Sequence, residues 1–169
     1  PESRLSLSLA LQLDRLNCDA AKKVKPTVVA IVARKARKDN EETSTRSEKS
    51  LQQDFGSGFL IDANGFILTN HHVVEGALAL DVSLADGRSV PGRLVRSDPS
   101  SDIALVKIES GSLPVARLGD SNGLEAGQRI LAIGHPFGLL QTVSSGIIAA
   151  LGRSDLSLLP YENFIQTDA

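Results

Sequence analysis

The feature that most constrains the fold is a series of short apolar segments, rich in β-branched residues, that recur along most of the chain. Turn residues separate them. Asn64-Gly65 and Asp86-Gly87 favour the positive φ values of tight hairpins, while Pro91-Gly92 and Asp98-Pro99 mark bends. Strands at such close intervals are typical of β-sandwiches and β-barrels. The sequence therefore predicts an all-β fold with strands at 27–33, 59–62, 66–69, 79–84, 90–96, 103–108, 129–133, 142–150 and 163–167.

The composition indicates an aliphatic core and excludes two classes of partner. Hydrophobic residues make up 41% of the 169 residues but aromatic residues only 4%, so the core must be built from Val, Ile, Leu and Ala. A net charge of −2 with interspersed signs attracts neither nucleic acid nor an anionic membrane. No apolar run reaches the roughly 18 residues of a membrane span, so no integral membrane segment is predicted. The single cysteine, Cys18, excludes an internal disulfide.

The chain divides into an arm and two β subdomains. Leucines at positions 5, 9, 13 and 16 have helical spacing that Pro26 ends, which predicts a helical N-terminal arm over 1–23. The first β subdomain is predicted over 24–110, with a long mobile polar loop at 34–54. Gly and Ser then interrupt the apolar pattern, and a second β subdomain is predicted over 111–169.

Adjacent histidines at the end of a predicted hairpin indicate base-assisted acyl transfer. A general base near neutral pH is most often a histidine oriented by a hydrogen-bond acceptor. Ser57, Asp98 and Asp102 are candidates to act with His71 or His72. Asp102 stands at the mouth of a predicted buried strand, where it could orient an imidazole or could cap the turn that precedes it. The residues alone leave these two interpretations equal and do not choose between the histidines.

A metal site is a weaker interpretation of the same region. His71, His72, Glu75 and His135 could all be metal ligands, but their spacing matches no ligand motif such as His-Glu-x-x-His.

Several ordered segments resemble the HtrA/Deg family of serine proteases, which have a trypsin-like fold. The segments are Gly-Ser-Gly-Phe-Leu-Ile-Asp at 56–62, Gly-Phe-Ile-Leu-Thr-Asn-His-His-Val-Val at 65–74, Ser-Asp-Ile-Ala-Leu-Val-Lys-Ile at 101–108, Ala-Ile-Gly-His-Pro-Phe-Gly-Leu at 132–139, Thr-Val-Ser-Ser-Gly-Ile-Ile at 142–148 and Tyr-Glu-Asn-Phe-Ile-Gln-Thr-Asp-Ala at 161–169. The resemblance implies a trypsin-like double β-barrel, of which the first barrel is complete in this chain and the second incomplete.

The resemblance also assigns the proton-handling residues. The family pattern Thr-Asn-x-His-Val-Val implies that His72 is the general base, and the pattern Asp-Ile-Ala-Leu implies that Asp102 orients it. In the family, the segment that ends here at Ala169 continues into the motif with the nucleophilic serine. The resemblance thus implies that the nucleophile lies just beyond Ala169, that the chain is part of a longer protease, and that it is inactive alone. Ser57 is interpreted as part of a close-packing turn.

Regulatory segments are implied as well. The segment at 34–54 resembles the long loop that extends from the first barrel in the family. The loop at 136–141 resembles the one that adjusts the active site, and the loop at 152–160 resembles the sensor loop. Arg153 resembles the arginine through which the sensor loop signals, and the alternative is a solvated surface arginine.

The function implied by the resemblance is an endopeptidase that cleaves unfolded or misfolded proteins for quality control, without a metal or organic cofactor. The family implies trimer-based homo-oligomers and location in the cell envelope or periplasm, with an organelle as the other option. The arm matches the family poorly. The alternative function is a non-catalytic pseudoprotease or chaperone-like binder of unfolded polypeptides.

Overall fold

A computed structural model describes residues 2–36, 51–135, 141–154 and 159–169. Helix α1 (Glu2–Val24) and a 3-10 turn (Lys25–Thr27) come first, and the rest of the described chain is mostly β. The described ranges hold nine strands and a second short helix: β1 (Val28–Ala36), β2 (Leu51–Leu60), β3 (Phe66–Asn70), α2 (His71–Val74), β4 (Ala77–Ser83), β5 (Ser89–Asp98), β6 (Ile103–Ile108), β7 (Arg129–Gly134), β8 (Thr142–Arg153) and β9 (Phe164–Thr167). A further 3-10 turn spans Ser121–Gly123.

The first six strands close into an antiparallel barrel in the order β1-β2-β3-β6-β5-β4. Its core is aliphatic, as the composition predicts. Strand β6 shows why these short apolar segments predict strands. Its residues Ala104, Val106 and Ile108 are buried in the core, and the residues between them are more exposed. The predicted strand at 103–108 is confirmed in both bounds.

Strands β7, β8 and β9 form a second antiparallel sheet, in that order, which does not close into a barrel. The described residues therefore form a mostly β fold, with one closed six-stranded barrel and one open three-stranded sheet. The predicted N-terminal helix is confirmed as α1, whose Leu9 and Leu16 are exposed. The described helices include none that is long and apolar enough to cross a membrane.

The loop predicted at 34–54 is shorter than expected. Residues 34–36 belong to β1 and residues 51–54 to β2, and positions 37–50 lie outside the described residues. The polar ends of both strands stay extended because they pair with each other, Arg34 opposite Gln53 and Lys35 opposite Gln52. The loss of apolar alternation after Ala33 concealed this pairing.

Two predicted turns are also wrong. The segment 56–58 lies inside β2, where Gly56 and Gly58 allow close packing rather than a reversal. Pro91-Gly92 lies inside β5, and pairing with β6 begins at Gly92, so β6 needs no N–H from Pro91. Gly65 and Gly87 do have the positive φ predicted for their hairpin turns.

Candidate active site

The helical turn α2 holds His72 at the end of strand β3. Val73 and Val74 of this turn are buried in the barrel core and fix its orientation. The imidazole of His72 points the other way, and its side chain is 68% exposed. The two buried valines thus anchor the turn, and the histidine directly before them faces outward.

Asp102, the residue directly before β6, lies beside the helical turn that holds His72. Strand β3 pairs with β6 with Asn70 opposite Ile103, which brings the residue before Ile103 next to α2. Asp102 has φ of +53, the only positive φ found for a non-glycine residue in the described part of the chain. Aspartate tolerates this left-handed conformation better than most residues, and such strained positions cluster at functional sites.

Asp102 holds His72 through two hydrogen bonds. Oδ2 lies 2.7 Å from Nδ1 of the imidazole, and Oδ1 accepts the backbone N–H of His72 at 2.9 Å. Because an ionised carboxylate only accepts hydrogen bonds, the Nδ1 atom carries the proton. The free lone pair is then on Nε2, the ring atom that faces away from Asp102. The pair is arranged to accept a proton from a group in front of His72.

Neighbouring groups keep Asp102 ionised. Asn70 donates its side-chain amide to Asp102 Oδ2 at 3.0 Å and to the main-chain carbonyl at 3.2 Å, and the N–H of His71 donates to the same carbonyl at 3.1 Å. Burial opposes ionisation of the carboxyl. The hydrogen bonds from the backbone and ring of His72 and from Asn70 outweigh burial and hold the pKa of Asp102 below its usual range.

The other aspartate candidate, Asp98, has a structural role in the turn between β5 and β6. Its carboxylate accepts the backbone N–H of Ser100 at 2.9 Å and the hydroxyl of Ser101 at 2.8 Å. The structure therefore brings Asp102, and not Asp98, to His72. One interpretation of the sequence had Asp102 capping this turn. The carboxylate that accepts hydrogen bonds within the turn is instead that of Asp98.

Ser57 connects the barrel to the second sheet. Its hydroxyl oxygen accepts the backbone N–H of His135 at 2.7 Å, and its carbonyl accepts the hydroxyl of Thr69 at 2.8 Å. The hydroxyl thus accepts a hydrogen bond that joins β2 to the residue after β7.

His71, the second of the adjacent histidines, points into the fold beside Glu75. Its Nε2 atom lies 3.8 Å from a carboxylate oxygen of Glu75, and its Nδ1 atom is buried without a hydrogen-bond partner. Within the described ranges, no three His, Cys, Asp or Glu side chains are grouped as metal ligands would be.

Arg153 belongs to the second sheet and not to the barrel that carries His72 and Asp102. It is the last residue of β8, and its Nε donates to the side-chain oxygen of Gln166 on β9 at 2.9 Å. The predicted sensor loop at 152–160 therefore begins later than expected, because Gly152 and Arg153 are in a strand. Residues 155–158 of that loop and 136–140 of the preceding one lie outside the described residues.

Sequence reasoning missed two residues that contact this site. Asn70 binds Asp102, and its place directly before the two histidines at a strand end was a usable signal. Lys35 donates to the main-chain carbonyl of His72 at 3.2 Å. No signal indicated Lys35, because its segment was interpreted as a solvated loop.

Comparisons with known proteins find a matching family profile and similar relatives. A family profile described as a trypsin-like peptidase domain matches residues 56–169. The chain is 51% identical over 123 residues to the periplasmic serine endoprotease DegP of Salmonella typhimurium and 50% identical over 123 residues to DegP of Escherichia coli K12. Each match covers 70% of this chain and 26% of the relative, so the chain spans roughly a quarter of the length of these relatives.

Solved protease structures superimpose on this chain over most of its length. The HtrA-type protease AlgW in complex with a tripeptide superimposes with a TM-score of 0.79 at 41% sequence identity, covering 90% of this chain and 46% of that one. AlgW in complex with a decapeptide superimposes with a TM-score of 0.77 at 37% identity, covering 89% of this chain and 50% of that one.

Proposed function

The chain belongs to the HtrA/DegP family of trypsin-like serine proteases, and from this premise we propose that it carries the general base of an endopeptidase. The observation that carries the proposal is the bidentate contact of Asp102 with the ring and backbone of His72, at 2.7 and 2.9 Å. His72 is the base and Asp102 orients it.

In the proposed reaction, Nε2 of His72 removes the proton from a serine hydroxyl as the serine oxygen attacks the peptide carbonyl. Asp102 stabilises the imidazolium that forms. His72 then gives the proton to the leaving amine, and water repeats the cycle on the acyl-enzyme. The nucleophile in this scheme is a serine outside the 169 residues, as the family motif implies, so the 169-residue chain alone is expected to cleave no peptide.

The proposed substrates are unfolded or misfolded polypeptides in the bacterial periplasm. Two observations support this: the DegP relatives are named as periplasmic endoproteases, and AlgW was solved with short peptides bound. We further propose a trimer-based homo-oligomer in which the exposed Leu9 and Leu16 of α1 take part. Arg153 is proposed as a regulatory residue that acts through its contact with Gln166 on β9.

Substitution of the two adjacent histidines tests the proposal in the natural protein that contains this sequence. His72→Gln should abolish both cleavage of an unfolded protein and labelling of the serine by a fluorophosphonate. His71→Gln is the control, because the same chemical change one residue earlier leaves the contact with Asp102 in place. Equal cleavage by wild type and His72→Gln would contradict the role of His72, and binding of unfolded protein without any cleavage by wild type would favour the chaperone-like alternative.

A further inference from the structure

The ammonium group of Lys35 contacts both the turn that carries His72 and the neighbouring strand β2. Its Nζ atom lies 3.2 Å from the main-chain carbonyl oxygen of His72 and 2.8 Å from Oδ2 of Asp54. The Lys35 side chain is only 18% exposed. A lysine with two oxygen acceptors and little access to water is confined to a narrow range of positions.

The position of Lys35 follows from the geometry of β1. Successive residues of a strand face opposite sides, and Arg34 pairs with Asp81 on β4 while Lys35 turns to α2. The pairing of β1 with β4 slips between Arg34 and Lys35, where β4 contributes the extra residue Leu78. Irregularities of this kind redirect side chains and are common beside active sites.

The carbonyl group of His72 needs a donor from outside its own helix. Helix α2 has four residues, and the carbonyl of His71 accepts the N–H of Glu75. The chain then leaves helical geometry, with ψ of 127° at Glu75 and φ of +68° at Gly76. Carbonyl groups in the last turn of a helix lack partners within it, and lysine is a favourable donor to them. Lys35 supplies this donor from β1.

Asp54 anchors the ammonium group from β2. Its second carboxylate oxygen, Oδ1, accepts the side-chain amide of Gln52 at 3.1 Å. The hydrogen bond from Lys35 has the largest effect on the carboxyl group, and the one from Gln52 the next largest. Together they outweigh the opposing effect of burial and hold the pKa of Asp54 below its usual range. The carboxylate is therefore charged at neutral pH and keeps Lys35 directed toward α2.

We propose that Lys35 is a positioning residue for His72, which fixes the main chain of α2 so that the imidazole keeps its place against Asp102. The main chain and ring of His72 are then held at three points: the N–H and Nδ1 by Asp102, and the carbonyl by Lys35. The inference rests on the proposed role of His72 as the base. Loss of this positioning can lower the reaction rate strongly, because a displacement of about 1 Å at a catalytic group can reduce the rate on the order of 100-fold.

The test compares Lys35→Met with Arg34→Gln in the natural protein that contains this sequence. Both substitutions remove one positive charge from the end of β1, but only Lys35 contacts α2. Lys35→Met should lower kcat about tenfold with KM within about twofold of wild type. Arg34→Gln should change neither, and Lys35→Arg, which keeps a donor, should recover much of the lost kcat. Equal kcat in Lys35→Met and Arg34→Gln overturns the proposal.

A spectroscopic readout separates positioning from general loss of structure. The far-downfield NMR resonance of the His72 Nδ1 proton reports the hydrogen bond to Asp102 whether or not the protein turns over substrate. Lys35→Met should move or broaden this resonance while the thermal midpoint stays close to that of Arg34→Gln. An unchanged resonance contradicts the positioning role. If wild type neither cleaves protein nor reacts with a fluorophosphonate, the proposed function fails, and the resonance still decides the role of Lys35.

Asp54→Asn gives a second, independent perturbation if Lys35→Met does not fold. It weakens the anchor and leaves the ammonium group in place, so kcat should fall by less than in Lys35→Met. Unchanged kcat in a folded Asp54→Asn variant overturns the proposal without the use of Lys35→Met. Where Lys35→Met does fold, Asp54→Asn should add nothing in the double variant, because Asp54 is expected to act only through Lys35. Additive losses from the two substitutions would show that Lys35 and Asp54 act separately and would overturn this arrangement.

Discussion

The side-chain amide of Asn70 binds Asp102 at two points, the main-chain carbonyl oxygen at 3.2 Å and the carboxylate Oδ2 at 3.0 Å. Asp102 has φ of +53, a conformation that a non-glycine residue keeps only when its surroundings hold it there. Asn70, the last residue of β3, is one of the groups that hold it, because its amide binds both the backbone and the side chain of Asp102.

Substitution of Asn70 should therefore weaken the candidate site through Asp102. Asn70→Ala removes both hydrogen bonds and is expected to lower kcat severalfold and the free energy of unfolding by about 1 kcal/mol. Asn70→Asp should lower kcat more, since a second carboxylate beside Asp102 disfavours its ionised form. Steady-state kinetics and urea denaturation measure both effects. A larger loss in Asn70→Ala than in Asn70→Asp would contradict the electrostatic part of the argument.

Replacement of Asp102 by asparagine should be far more severe. An amide can present its NH₂ group to Nδ1 of His72 and so favour the wrong tautomer, and we expect kcat to fall by about 10³–10⁴-fold. Asp98→Asn is the control, because Asp98 caps the turn through Ser100 and Ser101 and does not contact the imidazole. It should lower stability slightly and change kcat by less than about threefold. Comparable losses of kcat in both variants would show that turn structure, and not orientation of His72, is what matters.

The lowered pKa of Asp102 predicts a contribution to acid stability. A carboxyl group whose pKa is lower in the folded than in the unfolded chain stabilises the fold above its unfolded pKa, about 3.9, and this stabilisation is lost as pH falls through the folded value. Wild type should therefore lose more unfolding free energy than Asp102→Asn when the pH is lowered from about 5 to below the folded pKa. Denaturant titrations at several pH values measure the difference. Parallel pH profiles for the two proteins would contradict it.

Packing between β2 and α2 should be sensitive to Gly56. A Cβ atom at Gly56 would lie 2.5 and 2.6 Å from the two methyl groups of Val73, which is buried and stiff. Gly56→Ala should push α2 away and cost about 1–3 kcal/mol of stability, with a loss of kcat because His72 precedes Val73. Gly111→Ala is the control, since nothing lies within 4 Å of the added methyl group. Thermal melts and kinetics would refute this if the two variants behaved alike.

The fold was more predictable from the sequence than the site. Strand β6 was predicted in both bounds because its buried and exposed residues alternate, whereas the polar end of β1 was missed because the apolar alternation stops after Ala33. Residue type and position alone did not separate Asp98 from Asp102, and the resemblance of the segment that follows Asp102 to a family pattern was needed to favour it. In the structure, the register that places Asn70 opposite Ile103 brings Asp102 to His72. Lys35 could not be found without coordinates, because its contact with His72 joins residues 37 positions apart.

Ser57 provides a test that separates a packing role from a chemical one. Its hydroxyl oxygen accepts the backbone N–H of His135 at 2.7 Å, so Ser57→Ala removes an acceptor at the junction between the barrel and the second sheet. The expected cost is about 1 kcal/mol of unfolding free energy, since a partly buried hydrogen bond is lost. Fluorophosphonate labelling of the natural protein that contains this sequence should persist in Ser57→Ala, because the proposed nucleophile is another serine. Loss of labelling in a variant that remains folded by circular dichroism would make Ser57 the reactive residue and would reverse its assignment to packing.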